Sequence, residues 1–426
     1  MLRSTTPAST SHRLRRVAVG LSLAATAAVP AFVAAPARAE IVTLAPADVA
    51  VRVQSRGNGH GHGMSQYGAR GAALAGRTYR QIVAFYYPGT RLATVADRVL
   101  RVKLSGFGPT TTVSADPYLV VTGVRGLLPY RGLRLYRLVA AGAVGLTLQR
   151  LAAGPGSTWT TVRTHLADGA EFHRADGFPT RLCAPDGSST LYYGTLRAVR
   201  RSGGGVFTVN RVGLDRYTAG VVPREMPAAW SAQAVYAQAV AARTYALYEM
   251  LHSGRAAYDI CATSMCQVYG GHAHYDRTHR LAWTDFPEAA RATAHQVLTY
   301  RGAPILAQFS ASNGGWTVAG GLRYLMARVD PYDNAASGDP YLLRTTTVSR
   351  ASIARYFGLK TLTRIAVAHR DGHGAWGGHV VVDASRRAGY VVGRDAAGVT
   401  RVVPVSVSRF EDVFGLGTTW FTVSRG

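Results

Sequence analysis

The sequence predicts a mixed α+β fold that is rich in strands and has a few helices. Between residues 99 and 210, short segments alternate apolar with polar residues or are β-branched, and Gly, Pro, Asp and Asn separate them, which is typical of strands. Small and apolar residues then recur at helical spacing over residues 234–246, where Ser231 is placed to cap the predicted helix. Strand patterns return over residues 348–423.

Size and charge narrow the class of protein. The 426 residues are enough for about two to three domains, and a hydrophobic content of 47% is that of a globular chain. The net charge of +25 favours anionic partners, although an arginine-rich composition is also typical of a GC-rich coding sequence. Because no clustered basic helix is evident, we expect no nucleic acid partner.

Residues 1–39 predict a signal peptide. Arginines precede an apolar, alanine-rich run over residues 17–35, and Ala37-Arg38-Ala39 provides small residues at the two positions that a signal peptidase reads. The run is almost long enough to be a membrane anchor, which is the alternative interpretation. Two prolines and the A-x-A ending favour cleavage before Glu40, and this predicts a secreted protein without a stable transmembrane anchor.

A glutamate between two prolines is the first candidate site. The prolines flank Glu225 at two residues on either side and restrict its backbone, as the precise placement of an acid or base requires. The pattern predicts that Glu225 lies ahead of a helix N-terminus, whose dipole stabilises the ionised carboxylate. An acid therefore needs an apolar setting, to which Met226 and Trp230 can contribute. A solvated turn, or an ion pair with Arg243, is the alternative.

A loop of glycines and histidines over residues 59–69 is the second candidate site. His60 and His62 alternate with glycines, and this spacing could bind a metal ion. The glycines could equally allow the backbone to approach a ligand closely. A solvated, histidine-rich loop is the third interpretation.

Three cysteines form the third feature. Cys261 and Cys266 are close enough in sequence to form a disulfide or to share a metal ion, and an exported chain permits disulfides. Cys183 is then left over.

Two of these segments resemble a known family. Residues 214–227 closely resemble the signature around the E-M-P triplet of the sporulation stage II protein D and amidase-enhancer family. Residues 59–69 are similar to the family's G-H-G-x-G-M-S-Q-x-G-A element. The resemblance extends over residues 48–90 and 190–423, and it is loose over residues 100–190. It implies a strand-rich SpoIID-like domain with a few helices around a substrate groove.

The resemblance implies an activity. In this family the glutamate of the E-M-P triplet is the catalytic acid/base of a peptidoglycan lytic transglycosylase, and Glu225 occupies that position. The implied protein is secreted to the cell wall and cleaves MurNAc–GlcNAc bonds of peptide-free glycan strands to 1,6-anhydro products. The implied substrate-binding residues are His60, Ser65, Gln66, Arg243, Ser312, Gly314 and Trp316.

Two other functions remain open at this point. Some members of the family enhance a wall amidase, which implies a non-catalytic protein that binds the wall and an N-acetylmuramoyl-L-alanine amidase. The other is a metal-dependent amidase or peptidase that uses His60, His62, Cys261 and Cys266. The spacing of those residues fits no catalytic zinc motif, so we rank this function last.

The resemblance extends to a loop that holds zinc in some members of the family. Residues 259–271 are similar to a C-x-x-x-x-C-Q-x-Y-x-G loop that holds zinc in some members, with a histidine just before the second cysteine. Met265 stands at that position here, and a thioether is a poor zinc ligand. His272 or His274 could replace the histidine. We favour a Cys261–Cys266 disulfide and expect no cofactor.

The order of the elements departs from the family pattern. The histidine loop comes before the strand-rich region instead of closing the domain, which predicts a circular permutation. The strand at residues 49–53 is then expected beside residues 421–423, since permutation requires adjacent termini. The predicted organisation is a signal peptide at 1–39, the permuted loop and helix packing on the core at 48–98, a strand-rich region at 99–190, and the catalytic core at 191–426.

Overall fold

The computed structural model describes residues 40–367, 391–394, 400–403 and 407–426. The predicted signal peptide lies outside these residues. The described helices are α1 (Gln66–Leu74), α2 (Tyr79–Tyr86), α3 (Leu214–Glu225), α4 (Ala232–His252), α5 (Pro287–Ala292), α6 (Arg350–Tyr356) and α7 (Val407–Phe414), with a 3-10 turn at Ala335–Ser337. None of them has the length and apolar character that a membrane span requires.

The strands outnumber the helices, and the predicted mixed, strand-rich fold is confirmed. Those in the first half of the chain are β1 (Glu40–Thr43), β2 (Ala50–Ser55), β3 (Met64–Ser65), β4 (Arg91–Thr94), β5 (Val99–Lys103), β6 (Thr111–Ser114), β7 (Leu119–Val121), β8 (Leu133–Ala140), β9 (Leu146–Ala152), β10 (Trp159–Leu166), β11 (Glu171–Arg174), β12 (Thr180–Cys183), β13 (Ser189–Tyr192), β14 (Thr195–Arg200) and β15 (Val206–Gly213). Those that follow are β16 (Ile260–Cys261), β17 (Ala273–Tyr275), β18 (Leu281–Thr284), β19 (Gln296–Tyr300), β20 (Ala303–Pro304), β21 (Phe309–Ser310), β22 (Trp316–Thr317), β23 (Arg328–Val329), β24 (Arg344–Ser349), β25 (Arg364–Val367), β26 (Val391–Arg394), β27 (Thr400–Val403) and β28 (Phe421–Arg425).

Two sheets form a β-sandwich. One has eight strands in the order β10-β9-β8-β6-β12-β13-β17-β18, and the other has six in the order β16-β5-β15-β14-β11-β7. Alternate residues of the first sheet, such as Tyr136, Leu138 and Leu182, are buried in one core with Phe172 and Leu196 of the second. This alternation of buried and exposed residues is the pattern that the sequence predicted for strands, and it places the apolar core between the sheets.

Helices α3 and α4 pack on the other side of the six-stranded sheet. The long helix α4 is buried around most of its circumference because its alanines allow α1, α2, α3 and α5 to approach closely. Ser231 is the residue before this helix, as predicted, but its side chain makes no capping hydrogen bond. The helical layer carries the residues that form the candidate site.

A small sheet joins the two ends of the described chain. Strand β2 lies between β24 and β28, and Val53 pairs with Val423. The predicted neighbourhood of residues 49–53 and 421–423 is therefore confirmed. Val51, Val53 and Val423 are buried in a separate core with Phe410. The permutation itself stays a prediction.

Candidate active-site groove

A groove with a volume of about 540 Å³ brings together segments that are far apart in the sequence. The histidine loop, the C-terminal end of α3, the cysteine loop, the segment around β21 and the segment after α7 each contribute to its wall. The lining residues are Asn58, Gly59, His60, Gln66, Glu225, Tyr245, Ser264, Met265, Cys266, Val268, Gln308, Phe309, Ser310, Ala311, Glu411 and Gly417. The groove is the candidate active site because it contains Glu225.

The helix predicted after Glu225 is α4, which begins at Ala232. The sequence did not indicate that Glu225 is itself the last residue of a helix, α3. The flanking prolines indicated a restricted backbone at Glu225, and this backbone is helical because α3 continues through Pro223. A proline leaves the carbonyl four residues earlier without its helical donor. Here that carbonyl, on Ala219, accepts a hydrogen bond from the backbone N–H of Phe286 at 3.1 Å.

The surroundings of Glu225 favour its protonated form. Burial raises the pKa of the half-buried carboxyl above its usual value. The negative end of the α3 dipole acts in the same direction, because it disfavours an anion. Three groups offset part of this rise in the pKa of Glu225. The Val268 N–H donates to Oε1 at 3.2 Å, the Gln66 amide donates to Oε2 at 3.3 Å, and Arg224 is nearby. A raised pKa is what a general acid needs near neutral pH.

The histidine loop supplies three groove residues, Gly59, His60 and Gln66, and one buried residue that supports them, Ser65. His60 lines the groove, and its Nδ1 accepts a hydrogen bond from the His62 N–H at 2.9 Å. Gln66 begins α1 and reaches Glu225. Ser65 does not line the groove, contrary to the implied substrate-binding role. It is 1% exposed, caps α1 through the Gly68 N–H, and donates to Asp333 at 2.8 Å.

Arg243 is also not a groove residue, and this corrects the substrate-binding role implied by the family. Its side chain is fully buried in the middle of α4, where Nε donates to Oδ1 of Asp215 at 2.6 Å. The other guanidinium nitrogens donate to Thr293 and to the carbonyls of Ala290 and Gln296. Arg243 therefore ties α4 to α3 and α5, and it has no donor directed at the groove.

The Gly-Gly turn lies behind the groove instead of in its wall. Ser312 is 1% exposed and donates to Asp339 at 2.6 Å, while the backbone N–H of Gly314 donates to Asp333 at 3.2 Å. Trp316 lies in β22, which pairs with β23. The turn is hydrogen-bonded to the buried carboxylates of Asp333 and Asp339, and these three residues do not line the groove. The four residues just before the turn, 308–311, line the groove instead.

A disulfide joins Cys261 and Cys266, the predicted pair, with their Cα atoms 5.5 Å apart. It holds the loop that presents the Val268 N–H to Glu225. The bonded sulfurs offer no thiolates to zinc, and the side chain of Met265 is 90% exposed. Among the described residues, no group of three potential ligands could hold a metal ion. Cys183 is a free, half-buried cysteine in β12.

Several groove residues were not anticipated from the sequence. Tyr245 lies on α4, and the Val268 contribution is a backbone N–H, which no side-chain pattern could reveal. Glu411 comes from α7 and brings a second carboxylate to the same groove. Burial is the main cause that raises the pKa of Glu411, followed by the charge of Asp412. No local signal around Glu411 distinguishes it from a solvated helical glutamate.

Comparison with known proteins finds similarity in the part of the chain that contains Glu225. The family model described as Stage II sporulation protein matches residues 202–300, which contain α3, α4, Glu225 and the disulfide. Residues 202–300 are thus similar to the stage II sporulation protein family.

Particular relatives can then be named. The chain is 36% identical over 140 residues to the amidase enhancer of Bacillus subtilis, covering 32% of this chain and 17% of the relative. It is 28% identical over 204 residues to stage II sporulation protein D of the same species, covering 44% and 57%. An uncharacterised protein of Brachyspira hyodysenteriae is 32% identical over 151 residues, covering 35% and 37%. The matches thus span between 17% and 57% of these relatives.

Proposed function

We propose that the protein is a secreted cell-wall enzyme, a peptidoglycan lytic transglycosylase in which Glu225 is the acid and the base. The observation that carries this proposal is a half-buried carboxyl with a raised pKa in the wall of an open groove. The family of residues 202–300 and the names of the relatives support a role at the cell wall. The substrate would be a glycan strand without stem peptides.

The reaction needs one carboxyl group because the nucleophile belongs to the substrate. Protonated Glu225 donates its proton to the glycosidic oxygen between N-acetylmuramic acid and N-acetylglucosamine, and the C1–O bond breaks. The C6 hydroxyl of the muramic residue attacks C1, and the Glu225 carboxylate accepts the proton of that hydroxyl. The product is a 1,6-anhydro sugar, no water is consumed, and Glu225 is protonated again.

Two neighbours suit this double role. The Gln66 amide and the Val268 N–H donate to different oxygens of Glu225, so they hold the carboxyl in place and stabilise the carboxylate formed midway. His60 lies in the same groove and would contact the sugar. Burial and the two donors thus act in opposite directions, which keeps both protonation states accessible.

The test is digestion of purified, peptide-free glycan strands, with products identified by mass spectrometry. We expect anhydro-muramyl ends from the wild type and a loss of about 10²- to 10⁴-fold in rate for Glu225→Gln. Glu288→Gln is the matched control, because Glu288 is an exposed glutamate of the same helical layer. Equal activity of Glu225→Gln and the wild type would contradict the proposal.

Two other outcomes have defined meanings. Reducing ends in place of anhydro ends would indicate hydrolysis, for which Glu411 is the second carboxylate in the groove. No cleavage, with wall binding retained by both proteins, would favour the second candidate, a non-catalytic enhancer of a wall amidase. The 36% identity to a protein named amidase enhancer is the observation behind that candidate.

A further inference from the structure

The eight-stranded sheet has one face that the described helices do not cover. Its inner face packs on the six-stranded sheet. Helices α3 and α4 contact the sandwich chiefly at β5, β15 and β16 of that second sheet. Side chains that alternate with the core residues therefore point outwards from the eight-stranded sheet. We call the outward side chains of its strands the outer face.

The strands of this sheet are free of acidic residues. None of the eight contains Asp or Glu, whereas arginine occurs in four of them, at positions 134, 137, 150, 163 and 181. Other acids flank these strands: Asp116 and Asp168 pair with Arg174 and Arg200, and Asp285 contacts His272. Asp186 and Asp276 lie in turns between strands of the sheet. Each accepts hydrogen bonds within its own turn. Of the five arginines, Arg137 and Arg181 lie on the outer face, whereas Arg150 and Arg163 pair with Tyr136 and Leu148 on the core side. No strand of the sheet supplies a carboxylate to the outer face.

Two arginines on the outer face lie over aromatic rings. The guanidinium of Arg137 lies 4.0 Å from the ring centre of Trp159, and its Nε donates to Gln149 at 2.8 Å. Arg181 repeats the arrangement on β12, in the middle of the sheet. It lies 4.3 Å from the ring centre of Tyr275 and donates to Ser189 at 3.0 Å. Stacking and one hydrogen bond orient each guanidinium and leave other N–H groups for a ligand.

Neither guanidinium has an acidic partner. Among the described residues, Arg137 and Arg181 form no ion pair, whereas Arg101 and Arg211 are paired with Asp259 and Glu171. Burial lowers the pKa of Arg137, which shows that its charge is partly desolvated without compensation. An anion at this position would offset that cost. One strand, β6, separates the two strands that carry these arginines, which places them about 10 Å apart.

We propose that the outer face binds a linear phosphodiester polymer of the kind attached to bacterial walls. Stacked guanidiniums bind phosphate oxygens through paired N–H groups, and a flat face with separated cations suits a chain of repeated anions. The hydroxyl and amide groups beside them, on Ser189 and Gln149, can donate to further oxygens. This site is distinct from the groove and holds the protein on the wall whether or not the groove cleaves glycan.

The test measures binding of the full chain to fluorescently labelled poly(glycerol phosphate) by anisotropy at two salt concentrations. We expect Arg137→Gln/Arg181→Gln to weaken binding about tenfold or more, since charge-assisted hydrogen bonds are lost at both positions. The matched control, Arg323→Gln/Arg355→Gln, removes the same charge from exposed positions elsewhere and should weaken binding less than about twofold. Thermal unfolding checks that each variant is folded.

Three outcomes would overturn the proposal. Equal losses in both double variants would mean that net charge alone attracts the polymer. Tighter binding of polyglutamate, single-stranded DNA or anionic vesicles than of poly(glycerol phosphate) would assign the face to another partner. Unchanged binding by Arg137→Gln/Arg181→Gln would exclude the face. Glu225→Gln should bind the polymer like the wild type, so failure of the proposed activity and failure of this proposal are distinguishable.

Discussion

The β-sandwich and the region behind the groove differ in how they accommodate charged groups. The sandwich core is built from residues such as Tyr136, Phe172 and Leu182, and arginines of its sheets such as Arg137 and Arg181 are only partly buried. Behind the groove, Arg243 is fully buried and the carboxyl groups of Asp330 and Asp333 are each 2% exposed. Buried charges cost free energy unless partners satisfy them, so their concentration on one side marks the region where precise placement of polar groups is needed. Four predictions test this difference.

The largest expected effect is on stability, at Arg243. Replacing it with Met leaves Asp215 without its closest partner, so the free energy of unfolding should fall by about 3–5 kcal/mol, as when one member of a buried pair is removed. Arg137→Met, on the outer face of the sandwich, should cost less than about 1 kcal/mol. Urea unfolding at neutral pH measures both. Similar losses of unfolding free energy in Arg243→Met and Arg137→Met would contradict the difference between the two regions.

The Cys261–Cys266 disulfide should contribute less to the free energy of unfolding than Arg243 does. Cys261 and Cys266 are separated by five positions, and closing so short a loop stabilises the folded chain by about 2 kcal/mol. Cys261→Ala should lower the free energy of unfolding by that amount and loosen the loop that carries Val268. The control is Cys183→Ala in the sandwich, which removes a cysteine but no cross-link. When unfolding is measured with and without a reductant, the reductant should lower the free energy of unfolding only for proteins that keep the disulfide.

Asp333 should make stability depend on pH. Burial, followed by the charge of Asp339, raises the pKa of Asp333 to about 8 from a usual value of 3.8. The folded protein then holds a proton that the unfolded chain has released, so stability should fall as pH rises from about 4 to about 8. Asp333→Asn should flatten this slope.

Asp186→Asn serves as the control for that slope. Hydrogen bonds from Ser188 lower the pKa of Asp186, so its titration lies below this pH range. A slope that persists in Asp333→Asn, measured by thermal unfolding across the range, would show that Asp333 is not its source.

The smallest effect concerns Gln66 and depends on the proposed activity. Gln66→Leu removes a donor that stabilises the Glu225 carboxylate, so the pKa of Glu225 should rise further. The upper limb of the pH profile of kcat, where the acid loses its proton, should move to higher pH. Gln54→Leu in β2 is the control. An upper limb that stays in place or moves to lower pH would show that the contact does not affect the acid.

Some structural features of this protein could be predicted from local patterns in the sequence. Alternation of apolar and polar residues indicated the strands, and small residues at helical spacing indicated α4. The short spacing between Cys261 and Cys266 indicated a possible cross-link, and the prolines drew attention to Glu225. These features depend on neighbours in the chain, so a reading of residue type and spacing finds them.

The tertiary structure decided what surrounds those residues. It made Glu225 the end of a helix, because a carbonyl freed by Pro223 finds a donor on Phe286, far along the chain. In the folded chain Arg243 is buried, Ser312 is hydrogen-bonded to Asp339 outside the groove, and Glu411 lies in the wall of the groove. Burial, hydrogen-bond partners and pKa all depend on contacts between distant segments, and such contacts are absent from any local pattern. The sequence by itself therefore identified the candidate acid, and only the folded chain determined the environment that favours its proton.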